Sequence, residues 1–234
     1  MKKMKYLFIL FVIMIIITSI ILMNIQKEKE INTGIELAKT ITVLRPSFMT
    51  LNDVVKACKG TGFQGYETAF LKAEEVSGIG ADYLLAIAFH ETKYGTNTWW
   101  REWNNAFSWG ITDSGPNSEA YKIKEMTKEQ AIVYTAKKIK ELYLTKGGLY
   151  YSGETLSAMN VYYARDKNWA NAIISIHANI VKNLSEEQRA MQWAMGTKIL
   201  QGNLPTVQYF TQDYWDKPLT RRELAIILWR VNNK

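Results

Sequence analysis

One acidic residue of this sequence stands where its side chain could donate a proton. Glu91 ends the almost wholly apolar stretch 81–91 (ADYLLAIAFHE), which predicts a buried central helix. A carboxyl group that emerges from such a helix into a cleft is partly desolvated, and desolvation raises its pKa. A carboxyl that holds its proton near neutral pH can protonate the leaving oxygen in glycoside hydrolysis. Glu91 is therefore a candidate general acid, weighed against the commoner solvated glutamate at a helix end.

Aromatic residues accumulate downstream of this acid, among Asn, Thr, Arg and Gly. Flat aromatic faces stack against the C–H faces of sugars, whereas sugar hydroxyl groups seek polar neighbours. Such a mixture favours the wall of a carbohydrate cleft, although aromatic clusters more often form a core. The aromatic residues are Tyr94, Trp99, Trp100, Trp103 and Trp109, followed by Tyr150, Tyr151, Tyr162, Tyr163 and Trp169.

Four ordered blocks resemble successive signatures of the bacterial endo-β-N-acetylglucosaminidases of the flagellar and autolysin type. The blocks are 90–96 (HETKYGT), 104–107 (NNAF), 113–116 (DSGP) and 159–170 (MNVYYARDKNWA), and the resemblance covers about 60–184. It implies a mainly α, lysozyme-like domain with a helical lobe, a small irregular or β lobe, and a cleft between them. It also implies hydrolysis of the peptidoglycan glycan strand after N-acetylglucosamine, without a cofactor.

The same resemblance implies roles for single residues. Glu91 matches the family's catalytic glutamate, and Tyr163 matches an aromatic residue that lines the catalytic cleft. Asn105 and Phe107 match a turn that shapes the substrate groove. His90 invites a general-base interpretation, but a packed histidine that orients Glu91 is the favoured alternative. The residues expected to form the substrate site are His90, Asn105, Phe107, Tyr163 and Trp169.

The second catalytic group is left open by the sequence. Asp113 and Glu119 both lie in the predicted small lobe, 104–124, and either carboxylate could position the attacking water. Asp113 is preferred because it lies inside a matched block, yet an aspartate before Ser-Gly-Pro also suits a turn. The N-acetyl group of the substrate is a third candidate. Ser108 stands where the family usually has glycine, so the turn there is expected to differ.

Local patterns predict the helices that carry these residues. A capping-box pattern at Thr127 opens a helix to about residue 143, and Asp166 is the expected N-cap of a helix over 167–184. The segment 66–76 is amphipathic and predicts a further helix. His177 lies within the last of these helices with no evident acidic partner, so no role is assigned to it.

The first 23 residues, 1–23, predict a cytoplasmic tip and a membrane anchor. Residues 6–23 carry no charge and approach the ~20 residues that cross a bilayer. No small-residue cleavage site follows, which favours a retained anchor over a signal peptide. Lys2, Lys3 and Lys5 precede the segment, so the positive-inside rule places the remainder outside the cell.

The segments after the anchor are predicted as a stalk (24–59), the glucosaminidase-like domain (60–184) and a small two-helix module (185–234).

A composition of 47% hydrophobic and 22% charged residues is that of a folded protein. The lone Cys58 allows no internal disulfide and no zinc cluster, so no metal is expected. The net charge of +7 suits an anionic wall polymer, since an extracellular position argues against nucleic acid. A basic surface without a dedicated partner is the alternative.

The C-terminal module resembles a single S-layer homology repeat. Capping boxes at 185–188 and 220–223 open its two predicted helices. Thr220, Arg221 and Glu223 match the turn with which that family holds anionic secondary wall polymers, and arginine suits such ionic recognition. These repeats usually come in threes and this chain has one, so a purely structural cap is an equal alternative.

The leading hypothesis is a membrane-anchored, extracellular peptidoglycan hydrolase that cuts after N-acetylglucosamine. A lysozyme or lytic transglycosylase, which also depends on a single glutamate but cuts after muramic acid, is the first alternative. An inactive wall-binding protein that keeps the aromatic groove is the second. The acid at Glu91 argues against that second alternative, because a protein that only binds has no need of it.

Overall fold

The computed structural model describes residues 17, 18, 21, 23 and 39–196, without the side chains at 186, 187, 190 and 194. The chain divides into two units, residues 1–38 and 39–234. In the first unit the described residues are helical and exposed. Most of the predicted membrane segment, 6–23, lies outside the described residues, and within them no helix has the length and apolar character to cross a bilayer.

The described part of the second unit is mainly helical, with one small antiparallel sheet. Its helices are α1 (Leu51–Cys58), α2 (Glu67–Ser77), α3 (Ala81–Thr92), α4 (Thr98–Arg101), α5 (Ser118–Lys124), α6 (Lys128–Ile139), α7 (Leu156–Tyr163), α8 (Trp169–Val181) and α9 (Glu186–Gly196). The strands β1 (Ile111–Thr112) and β2 (Gly115–Pro116) lie between α4 and α5, and α6 continues as a π-helical turn, Lys140–Leu144. The expected mainly helical domain with a small β lobe is therefore confirmed.

Helix α3 is the centre of the helical lobe. Every residue from Ala81 to Phe89 is buried, and the helix packs against α2 and α8. Full burial of a leucine side chain contributes roughly 1.5–3 kcal/mol to folding, and Leu84 and Leu85 have no exposed surface. The predicted buried central helix is confirmed, and its last turn delivers Glu91 to the edge of the core.

Two predicted N-caps can be compared with the observed starts of α6 and α8. The Thr127 side chain accepts from the backbone N–H of Gln130, and the Gln130 side chain accepts from that of Thr127, so α6 begins with the predicted capping box. The prediction of Asp166 as the N-cap of α8 is wrong, because α8 begins after Asn168. Asp166 instead accepts from the backbone N–H of Asn168 at 2.8 Å and fixes the turn before the helix.

Residues on both sides of the predicted catalytic domain pack against it. In the predicted stalk, Val43, Val54 and Cys58 have no exposed surface. Helix α9, from the predicted C-terminal module, reaches the same segment, since Gln188 Nε2 donates to the carbonyl of Phe48 at 2.7 Å. Packing therefore continues across residues 59 and 185. The second predicted helix of the C-terminal module lies outside the described residues.

A buried charged cluster joins the N-terminal segment to α3 and α8. Arg45 Nη2 lies 2.7 Å from Asp82 Oδ2, and His177 Nε2 lies 2.8 Å from the same oxygen. The imidazole also stacks on Tyr83, with ring centroids 4.4 Å apart. The expectation that His177 has no acidic partner is thus wrong, since a partner 95 positions away leaves no local pattern. The sequence did offer one signal, because an aspartate inside an apolar helix needs a partner.

Candidate active site

Glu91 lies partly buried on the last turn of α3. Its Oε1 accepts a hydrogen bond from the indole Nε1–H of Trp169, at 2.8 Å. Burial raises the pKa of the Glu91 carboxyl and outweighs the indole N–H of Trp169, the charge of His90 and the hydroxyl of Ser108, which all act in the opposite direction. Such a carboxyl holds its proton to a higher pH than an exposed glutamate, so it can act as a general acid.

The chain turns sharply just after Glu91. Lys93 and Tyr94 have φ angles of 50° and 59°, in the left-handed region, and Gly95 follows with a φ of 78°. A glycine is needed at position 95 for a second reason, since a Cβ there would lie 2.7 Å from the Cα of Gly62. The block 90–96 thus encodes an abrupt helix end that packs against another loop and leaves Glu91 at the edge of the core.

Two side chains hold the backbone carbonyl of Glu91. This carbonyl is one of the last four of α3, which lack a partner within the helix. Asn97 Nδ2 donates to it at 3.0 Å, and the Ser108 hydroxyl donates at 3.3 Å. Asn97 also caps α4 by accepting from the backbone N–H of Trp100. Sequence reasoning missed this tie between α3 and α4, although an Asn before a helix is a common N-cap signal.

The loop that carries Ser108 is fixed by a buried asparagine. Asn105 donates from Nδ2 to the carbonyl of Trp109 at 2.8 Å and accepts from the Trp109 N–H at 2.9 Å. The side chains of Asn105 and Phe107 are buried, so they support this loop from beneath. Such support suits their expected part in shaping the groove, while direct contact of either side chain with substrate stays a prediction.

Tyr163, at the end of α7, ties the same loop to α8. Its hydroxyl donates to the carbonyl of Phe107 at 3.0 Å, and its ring centroid lies 4.9 Å from that of Trp169 and 5.2 Å from that of Tyr143. Burial, followed by the charges of Glu91 and Tyr143, raises the pKa of the Tyr163 hydroxyl well above its usual value. The hydroxyl therefore keeps its proton and serves as a donor.

The two candidates for the second carboxylate have other partners in this structure. Asp113, on the turn between β1 and β2, forms an ion pair with Arg165, from the loop after α7. Both side chains are mostly exposed, and exposed ion pairs contribute little to stability. Glu119 Oε2 accepts from the Tyr134 hydroxyl of α6 at 2.7 Å. The Asp113–Arg165 pair thus bridges the small lobe and the helical lobe, whereas Glu119 is held where α5 meets α6.

The remaining predicted site residues divide between surface and core. His90 is half-buried on the same turn as Glu91. Trp169 is buried, and its indole N–H donates to the Glu91 carboxyl. Contact between Trp169 and the substrate stays a prediction. Of the downstream aromatic residues, Trp100 is buried in the core, whereas Tyr162 is 58% exposed.

Among the described residues, no group of His, Cys, Asp and Glu side chains could hold a metal ion. The predicted wall-polymer residues lie outside the described part of the chain: Thr220, Arg221 and Glu223.

A mainly helical domain with a small β lobe and a partly buried acid at the end of its central helix belongs to the lysozyme-like class. Residues 67–182, about half of the chain, match the glucosaminidase family, described as mannosyl-glycoprotein endo-beta-N-acetylglucosaminidase. The chain therefore belongs to the glucosaminidase family of glycoside hydrolases, as the four sequence blocks predicted.

The named relatives agree with this assignment. Two relatives from strains of Streptococcus pneumoniae, both named as endo-beta-N-acetylglucosaminidases, are 31% identical over 138 residues, which is 59% of this chain. The match spans only 20% and 18% of those relatives, so this chain covers about a fifth of their length.

The fold is similar to that of Staphylococcus aureus autolysin E. One structure of that protein has a TM-score of 0.53 and 22% identity, over 66% of this chain and 77% of autolysin E. A catalytic mutant of autolysin E in complex with the disaccharide NAG-NAM has a TM-score of 0.52 and 23% identity, over 62% and 72% of the two chains. At these identities the likeness concerns the fold alone.

Proposed function

We propose that this domain hydrolyses peptidoglycan glycan strands after N-acetylglucosamine, as an endo-β-N-acetylglucosaminidase with Glu91 as its general acid. The observation that carries the proposal is the setting of Glu91, partly buried at the end of α3 with a raised pKa and an indole donor on Oε1. Membership of the glucosaminidase family and the names of the relatives support the reaction class. The disaccharide bound to autolysin E supports the substrate class.

Glu91 starts the reaction by giving its proton to the glycosidic oxygen. Because the Trp169 N–H bonds to Oε1, the proton resides on Oε2, the oxygen that is left for the substrate. As the bond from the anomeric carbon to that oxygen breaks, the bonding electrons leave with the departing sugar, and the N-acetylglucosamine ring takes on oxocarbenium character. The Trp169 N–H favours the carboxylate that remains. Water then adds to the anomeric carbon, the proton that it releases returns Glu91 to the protonated form, and N-acetylglucosamine becomes the new reducing end.

Asp113 is our proposed partner for the attacking water. It lies on the turn of the small lobe, and its ion pair with Arg165 is exposed, so a bound strand can displace the pair at little cost. Glu119 is the weaker candidate, because its carboxylate already accepts from Tyr134. Attack by the substrate's own N-acetyl group is the alternative to both carboxylates.

Anchoring at the cell membrane is a separate part of the proposal. The uncharged segment 6–23 and the three lysines before it support a single-pass anchor, with the domain on the wall side of the membrane. Fractionation of cells tests this arrangement. The full chain is expected in the membrane fraction, and a chain that lacks residues 1–23 is expected outside it. Recovery of the full chain outside the membrane fraction would contradict the anchor.

Mass spectrometry of digested peptidoglycan tests which bond is cut. Purified protein is expected to release fragments with N-acetylglucosamine at the reducing end. Fragments that end in muramic acid, or in its anhydro form, would assign the protein to the lysozymes or lytic transglycosylases instead. Retained binding without any release of fragments would indicate a wall-binding protein. A parallel digest with Glu91→Gln shows that the fragments come from this site and not from a contaminating hydrolase.

A further inference from the structure

Ser108 has a backbone conformation that favours glycine. Its φ angle is 49°, in the left-handed region that residues with a Cβ adopt only rarely. Its neighbours leave it little freedom to relax, because the Phe107 carbonyl accepts from Tyr163 and the Trp109 backbone is held by Asn105. A glycine would meet this conformation without strain. The serine therefore keeps a hydroxyl at this position at a cost in backbone strain.

The Ser108 hydroxyl bonds to the backbone of Glu91, the proposed acid. It donates to the backbone carbonyl of Glu91 at 3.3 Å, from a residue 17 positions away. Asn97 donates to the same carbonyl, so the bond of Ser108 is not needed to satisfy that group. The hydroxyl also favours the charged form of the Glu91 carboxyl and so lowers its pKa, against the effect of burial. One rotatable donor is thus available to both the backbone and the carboxyl of Glu91.

We propose that Ser108 is a positioning residue for Glu91, whose hydroxyl holds the backbone of the acid before proton transfer and bonds to the carboxylate after it. This inference rests on the proposed role of Glu91 as the general acid. Only the Ser108 hydroxyl has to rotate between the two bonds, because the loop itself is held by Asn105 and Tyr163. When the glycosidic oxygen takes the proton, Glu91 becomes a carboxylate, and a hydroxyl that then donates to it stabilises the developing negative charge.

Two substitutions separate the hydroxyl from the backbone strain. Ser108→Gly removes the hydroxyl and relieves the strain, whereas Ser108→Ala removes the hydroxyl and keeps it. Because the lost donor favours the carboxylate, both variants should have a higher Glu91 pKa. The expected rise is on the order of 0.5 pH unit, a threefold change in the ionisation constant. Ser108→Gly should also melt at a temperature equal to or above that of the unaltered protein.

The pKa is read by ¹³C NMR titration of the Glu91 carboxyl, which needs no substrate, and the pH profile of kcat/KM is recorded beside it. A general acid works in its protonated form, so the alkaline limb of the profile should move to higher pH by the same amount in both variants. Ser175→Ala, which removes an exposed hydroxyl on α8 that donates to the carbonyl of Asn171, is the control and should leave both readouts in place.

An unchanged Glu91 pKa in both variants would overturn the inference, even if their activity or stability fell. A shift in Ser108→Gly alone would overturn it as well, because the relief of backbone strain, and not the loss of the hydroxyl, would then be the cause. A shift of the NMR titration with no matching shift of the alkaline limb would leave Ser108 beside Glu91 but reject Glu91 as the general acid. The failure of the proposed function is in this way distinguished from the failure of the inference.

Discussion

Trp169 donates its indole N–H to Oε1 of Glu91 across 2.8 Å, although 78 positions separate the two residues in the chain. Trp169 begins α8 and is 1% exposed, so the bond is shielded from water. A hydrogen bond to a partly desolvated carboxyl orients that carboxyl and favours its charged form. The packing of α8 against α3 therefore sets both the direction and the acidity of the proposed acid.

Trp169→Phe is expected to raise the pKa of Glu91 and to lower turnover about tenfold, the equivalent of one ordinary hydrogen bond. The lost donor favoured the carboxylate, so the alkaline limb of the kcat/KM profile moves to higher pH. Trp100→Phe is the matched control, because it also removes a buried indole N–H, which bonds to the Gly62 carbonyl at 2.7 Å. An alkaline limb that stays in place in Trp169→Phe would contradict this role.

Tyr163→Phe tests the tie between α7 and the loop that carries Ser108. The Phe107 carbonyl loses its donor, so the free energy of unfolding should fall by about 1 kcal/mol. Activity should fall with it, since the loop is no longer held beside Glu91. Urea unfolding and turnover are measured on the same samples, and Tyr162→Phe, on an exposed ring, is the control. Equal stability and activity in Tyr163→Phe and the unaltered protein would rule this tie out.

Asp113→Asn decides between a carboxylate and the substrate's N-acetyl group as the partner in the second half of the reaction. A base or an electrostatic partner is typically worth about 10²–10⁴ in rate, so kcat should fall by at least about a hundredfold. Glu119→Gln should change kcat little, because Glu119 is held by Tyr134. Asp113→Asn and Arg165→Ala should each leave the free energy of unfolding within ~0.5 kcal/mol, since their pair is exposed. Full activity of Asp113→Asn would favour the N-acetyl group.

Asp82→Asn should destabilise the domain severely without a direct effect on Glu91. Burial alone would raise the pKa of Asp82, but the charges of Arg45 and His177 outweigh it and hold the pKa well below its usual range. Removal of one partner leaves Arg45 buried without a counter-charge, at a cost of about 3–5 kcal/mol. Thermal melts at pH 7 measure the loss, and Glu75→Gln, in an exposed pair with Lys72, is the control.

The pH dependence of that loss follows from the direction of the Asp82 shift. A carboxyl whose pKa is lowered by folding stabilises the protein fully above its unfolded pKa of about 3.9. That stabilisation declines as the pH falls towards the lower pKa of the folded state. The difference in stability between Asp82→Asn and the unaltered protein should therefore shrink as the pH falls below about 4. A constant difference down to the lowest accessible pH would show that charge is not its cause.

The parts of the fold that were predicted correctly have local patterns. An apolar run encodes α3, and the capping boxes at Thr127 and Ser185 each begin a helix. The position of Glu91 at the edge of the core was predicted for the same reason, since the end of an apolar run is visible in the sequence alone, whereas its role as the acid stays a prediction. The Asp166 cap failed because a short Asx turn and a helix N-cap look alike without the backbone angles.

The contacts that make the site were not predictable in the same way. Trp169 reaches Glu91, and Tyr163 reaches the Phe107 carbonyl, only because α7, α8 and α3 pack together, and no periodicity or cap encodes such pairs. The left-handed turn at Ser108 has a serine where the family usually has glycine, so the residue itself did not indicate the turn. Asn97 and Asn105 show the same limit, since their bonds to the backbone carbonyls of Glu91 and Trp109 depend on the conformation of irregular loops.

Turnover of purified Glu91→Gln on peptidoglycan tests the central claim most directly. Glutamine keeps the shape of the side chain and can still accept from Trp169, so the fold and strand binding should persist. Melting should not fall, because burial disfavours the charge that the substitution removes. Loss of general acid catalysis should lower kcat by about 10²–10⁴ or more. Glu91→Gln that binds strands and melts normally but releases almost no fragments is the predicted result, and release at a rate close to that of the unaltered protein would contradict the account.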